Sequence, residues 1–214
     1  MSIDVLRTDV NDFFRLSSAE SGRFQFPYCD LVSHVPVASE LWDRSVNNVP
    51  TTDGCWQASR DAPYQVRHLF LGNAASDLIC FCNFHPHWLA PSCSIAFAAL
   101  GLLPQRFQVL QLIEKYPNAK IHSVFDADTT GRTADCLLAL WRVGRGAGFW
   151  LVSDMVHVNF NGTVHQFAVE AFSLSRFEKV AGFRSGIRTH KPKGGYSTFY
   201  ECFKGISKTS TENG

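Results

Sequence analysis

Three consecutive blocks, each an apolar run followed by an amphipathic stretch, constrain this chain more than any other feature of its 214 residues. His68-Leu-Phe-Leu-Gly72 reads as a short buried strand, and Asn73 to Phe84 after it reads as a helix with Leu78, Phe81 and Cys82 inward, stopped by Pro86. Ser94 to Gly101 is a second buried strand. Pro104 then opens a helix ending at Pro117-Asn118, with Phe107, Leu110 and Ile113 on one stripe and Val109, Leu112 and Tyr116 beside it. Ile121 to Phe125 is the third strand, followed by a helix carrying Ala134, Leu137, Leu138 and Trp141 that Gly144 to Gly148 closes. Three strand–helix units of this length predict an α/β fold, a parallel sheet flanked by helices. Ligands of such sheets bind outside the carboxyl ends of the strands, which is where Asn73, Asp77, Asp126 and Asp128 fall.

The third junction, Val124-Phe-Asp126-Ala-Asp128-Thr-Thr-Gly131-Arg132, carries the chemistry. Residues two apart on a strand share a face, so Asp126 and Asp128 are expected to project together, and paired anions call for a cation between them. Thr129, Thr130 and Gly131 read as a tight turn into a helix, the pattern of a magnesium and phosphate site. The competing reading makes both aspartates ordinary turn and cap residues.

The flanks are less regular. Residues 1–62 are expected to form an extension packed on the core, with short helices at Asp9 to Leu16 and Ser39 to Val46 and turn-forming residues between and after them. Residues 63–153 form the α/β core. Residues 154–206 carry a C-terminal β-hairpin around Asn161-Gly162, with Phe149 to Val152 as a further strand. A short helix at Arg176 to Val180 and a basic glycine-containing loop from Arg184 to Tyr196 follow, and 207–214 is expected to be a disordered tail.

Composition narrows the class. With 45% hydrophobic and 18% charged residues the chain is that of a folded protein rather than a disordered one. The net charge of +1 conceals a gradient, acidic at the front and basic from Arg176 onward, which suits either a polyanion contact or a solvated basic face. No secretory pattern opens the chain and no apolar run is long enough to span a membrane, so a cytoplasmic location without membrane contact is expected. The seven cysteines form no CxxC pair. Cys80, Cys82, His85, His87 and Cys93 crowd together without the spacing of a zinc knuckle, and core cysteines are the expectation.

Taken together, residues 67 to about 152 resemble the Toprim domain of bacterial-type primases, topoisomerases and OLD-family nucleases. Phe70-Leu-Gly-Asn73-Ala-Ala-Ser-Asp77 stands where the family has a strand ending in Glu, often with an Asp four residues on. Ile95 to Gly101 matches its strand ending in glycine, and Asp126-Ala-Asp128 its Asp-x-Asp. The resemblance implies Mg²⁺ on Asp126 and Asp128, with Asp77 completing a three-acid set. It also implies a catalytic position at Asn73, where an amide has replaced the family's glutamate. An amide has no proton equilibrium near neutral pH, so it cannot act as a general base.

The expected function is that of a small nucleic-acid-associated protein with an impaired metal site, in which Arg132, Arg188, Lys191 and Lys193 meet phosphates. Two alternatives stand beside it. One is an active metal-dependent nuclease or primase-like phosphoryl transferase in which the aspartates suffice. The other is a non-catalytic scaffold for a protein partner, with His157, Phe160, His165 and Phe167 forming the contact or the core.

Overall fold

The computed structural model describes residues 6–16, 23–43 and 47–211, with side chains up to residue 205. Its centre is the five-stranded sheet formed by β4 (Trp56–Ser59), β5 (His68–Gly72), β6 (Ile95–Ala99), β7 (Lys120–Ser123) and β11 (Arg188–Thr189). The order is β11-β7-β5-β6-β4; β5, β6, β7 and β11 run parallel, while β4 runs antiparallel to β6. The sheet is therefore mixed, where a parallel one was expected. Helices α2 (Ala75–Phe84) and α3 (Arg106–Lys115) connect β5 to β6 and β6 to β7 as the apolar blocks predict, and α4 (Thr129–Arg142) follows β7 and leads out of this sheet.

Burial on both faces explains the near-continuous apolar strands. Phe70 and Phe97 point into a cluster with Leu78 and Phe81 of α2 and with Phe199 and Phe203 of α6 (Phe199–Thr211). Leu69, Leu71, Ala96 and Ala98, of the opposite parity, meet Val109 and Leu112 of α3 and Leu138 of α4. The inward stripe of α3 is thus Val109, Leu112 and Tyr116, whereas Phe107 and Leu110 are exposed. Of the two apolar stripes the sequence presents, the sheet buries this one.

The first 62 residues differ most from expectation. Helix α1 (Thr8–Phe14) forms, but the described part of the helix expected from Ser39 to Val46 is strand instead: β2 (Pro36–Trp42) pairs antiparallel with β1 (Phe24–Cys29) and β3 (Asn47–Asn48). Residues 44–46 lie outside the described residues. Phe24, Phe26 and Tyr28 alternate inward along β1, while β4 joins the main sheet. This region contributes a strand to the core sheet as well as packing against it.

At the other end β8 (Gly148–Val152), β9 (Met155–Phe160) and β10 (Thr163–Ala168) make a three-stranded antiparallel sheet. Asn161 and Gly162, both at positive φ, turn β9 into β10. Val156, Val158, Phe160 and Phe167 pack on α4 and on α5 (Leu174–Ala181), so Phe160 and Phe167 belong to a core. Helix α6 runs through part of the stretch expected to be a disordered tail, and 212–214 lie outside the described residues. Among the described residues no helix is long and apolar enough to cross a membrane.

Candidate functional site

The chain leaves β5 toward one side, through α2 to β6, and leaves β7 toward the other, through α4 and the segment after it to β11. The strand order therefore reverses between β5 and β7, and a crevice opens at their carboxyl ends. A cleft of about 450 Å³ lies there, lined by Asn73, Asp77 and Asp126 from the sheet side and by Tyr196, Tyr200, Glu201 and Lys204 from the approach to α6 and the helix itself.

Asn73 follows the last residue of β5 and is only 9% exposed. Its side chain lies close enough to Asp126 to favour the charged form of that carboxyl, and its Oδ1 is buried without a hydrogen-bond partner. The Asp126 carboxyl is pushed up to about 6, first by burial and then by repulsion from Asp128, with Lys191 opposing both.

The other two acids of the expected set are committed elsewhere. Strand β7 ends at Ser123, so Asp126 and Asp128 lie in the turn after it, not on one strand face. Asp128 is the N-cap of α4, and its side chain accepts from the Gly131 backbone N–H at 2.8 Å. Gly131 is obligatory there: a Cβ would collide with the backbone of Asp126. Asp77, in the first turn of α2, accepts from the Tyr200 N–H at 2.8 Å and ties α2 to the start of α6. Burial pushes its carboxyl up to about 8. Among the described residues no three His, Cys, Asp or Glu side chains are grouped to hold a metal.

A glutamate does reach this region, from a segment the sequence leaves unread. Glu40 of β2 is fully buried and accepts from the Ala75 N–H at 2.7 Å, the Ser76 N–H at 3.0 Å and the Tyr28 hydroxyl at 2.8 Å. Its carboxylate occupies the N-terminus of α2, where an anionic ligand would otherwise be favoured. Its three donors make it a helix cap.

The expected phosphate contacts divide in two. Lys191 Nζ donates to the carbonyls of Phe125 at 2.8 Å and Asp126 at 2.7 Å and pairs with Asp135 at 2.8 Å, so it clamps the Asp126 turn from beneath. Arg132 donates to the carbonyls of Val169, Glu170 and Phe172 and anchors the segment before α5. Neither is placed to meet a ligand in the cleft. Arg188 and Lys193 are exposed.

Residues missed by sequence reasoning are Glu40, Tyr196, Tyr200, Glu201 and Lys204. The i, i+3/i+4 pattern of Phe199, Tyr200, Phe203 and Lys204 marks a helix with a lined edge, whereas nothing local connects Glu40 to α2. Compared with protein-family models, curated proteins and solved structures, the chain matches none.

Proposed function

We propose that the chain is a small Toprim-like protein that associates with nucleic acid by holding a phosphate-bearing end in the cleft above β5 and β7 through Mg²⁺. In this reading it binds and does not cleave. The supporting observation is the unpartnered Oδ1 of Asn73, nine-tenths buried beside a half-buried Asp126. A buried acceptor without a donor costs about 1–3 kcal/mol, and a cation removes that cost while neutralising Asp126. Asp126 and Asn73 fit Mg²⁺, which takes one or two protein carboxylates and completes its sphere with water and phosphate oxygens. Asp77 and Asp128 each hold a backbone N–H and so are not ligands. When bound, the ion neutralises phosphate charge. Lys204 at the cleft then meets the ligand, and the exposed Arg188 and Lys193 extend the contact along a backbone.

Binding without cleavage is favoured because Asn73 exchanges no proton and Glu40 is saturated by donors. One observation favours phosphoryl transfer instead: Asp126, with its carboxyl near 6, is poised to accept a proton close to neutral pH. Calorimetric titration with Mg²⁺ and Mn²⁺ decides whether the cleft takes a cation. The expected result is binding that vanishes in Asp126→Ala and survives in Asp128→Ala, the latter losing about 1 kcal/mol of stability with its cap. Binding that persists in Asp126→Ala defeats the proposal. Cleavage of nucleic acid with Mn²⁺ that is lost in the same variant establishes the transferase reading.

A further inference from the structure

The open edge of the β10-β9-β8 sheet carries three consecutive exposed apolar residues outside the cleft. Trp150, Leu151 and Val152 of β8 are 41%, 59% and 50% exposed. Exposed edge strands are ordinarily protected by charge, proline or a bulge. Strand β8 reads Gly-Phe-Trp-Leu-Val and has none of these, and its ladder with β9 runs without a register shift. Val152 and Met155 close the ladder across a two-residue turn, so they form its hydrogen-bonded terminal pair. The alternation of an antiparallel ladder then turns the N–H and C=O groups of Phe149 and Leu151 away from β9, toward the open edge.

We propose that this edge is an interface between two copies of the chain, which join β8 to β8 antiparallel about a two-fold axis at Trp150 and form one continuous six-stranded sheet. That register is the one the strand itself specifies. Phe149 of one copy stands opposite Leu151 of the other, and both residues present outward backbone groups, so the two equivalent pairs exchange about four hydrogen bonds. Gly148 faces Val152, leaving room for the two Trp150 rings on the face where each already stacks on its own His157 at 5.5 Å. No charge on β8 opposes a like charge, and the exposed Arg145 before the strand and the exposed Asp154 after it bring opposite charges toward each end of an antiparallel pair. A two-fold contact is self-complementary by necessity, and this strand satisfies that condition in its backbone, its apolar pairs and its flanking charges.

The test combines sedimentation equilibrium with cross-linking. The unaltered protein is expected to be a concentration-dependent dimer, and Leu151→Lys, at a position exposed enough to leave the fold unchanged by circular dichroism, is expected to weaken dimerisation at least about tenfold. Trp150 faces its own copy as a non-hydrogen-bonded pair with Cα atoms about 4.5 Å apart, within the range of about 4.4–6.8 Å that a disulfide spans. Trp150→Cys is therefore expected to form a covalent dimer under mild oxidation. The unaltered protein, whose seven cysteines are all free, and Val164→Cys on the opposite edge are expected not to. A monomer at all concentrations overturns the proposal, as does a dimer that ignores Leu151→Lys and cross-links no better through position 150 than through position 164.

Discussion

Asp77 shows how one side chain exchanges a chemical role for a structural one. Placed by sequence among the metal ligands, it is buried at the root of α2 and holds the Tyr200 N–H. Burial raises its carboxyl to about 8, the Tyr200 N–H opposes that rise, and Asp126 and Glu40 add repulsion. The folded protein thus retains a proton that the unfolded chain releases near 3.8, so the fold loses stability as pH climbs from about 4 through 8. Asp77→Asn keeps an acceptor oxygen for Tyr200 and carries no charge at any pH. Thermal melts are expected to show the variant more stable than the parent at pH 8 and equal to it near pH 4; a shift of the same size at both would exclude this origin. Asn73 and Asp126, two residues that sequence placed together, do line one cleft, with Asn73 Oδ1 buried beside Asp126 and unpartnered.

The β1-β2 hairpin is the element that departs furthest from its sequence pattern, and Glu40 is the reason. Along β2, Glu40 and Trp42 point inward, so a charged residue sits where alternation requires an apolar one. Read as a helix, Glu40 falls on a solvated face. In the fold it caps α2, an element more than thirty residues away, and receives the buried Tyr28 hydroxyl, whose own proton is held more tightly for that reason and for its burial. Glu40→Ala leaves two helix N–H groups and a buried hydroxyl without an acceptor, and urea unfolding is expected to show a loss of about 3–5 kcal/mol. Glu40→Gln retains one oxygen and is expected to lose less. A loss below about 1 kcal/mol in the alanine variant would mean that the carboxylate does not bind α2 to the hairpin.

Across the molecule, the face of the sheet under α2 carries a chain of imidazoles. His68 Nδ1 lies 2.9 Å from His122 Nε2, and His122 Nδ1 lies 2.9 Å from His190 Nε2. His85 and His87 follow α2, and Lys120, Arg188 and Lys193 stand near the same rings. Burial and these like charges lower His122 to about 3 and His190 to about 4, and lower His68 and His85 as well. Their neutral forms stabilise the fold above pH 6.5, and that stability is lost as pH falls from 6.5 toward 4, because only the unfolded chain takes up the protons. Urea midpoints measured from pH 7 to pH 4 are expected to fall steeply, and less steeply in His122→Phe. By itself the sequence determined the three strand–helix blocks, the cap-and-turn chemistry after β7 and the Asn161-Gly162 turn, because each is written in contiguous residues whose period or backbone preference is local. Only the tertiary structure decided that β4 closes the sheet, that Glu40 occupies the α2 N-terminus, and that Lys191 and Arg132 hold backbone rather than ligand. Those outcomes depend on which distant donor reaches a buried acceptor first, and no local pattern encodes such a competition.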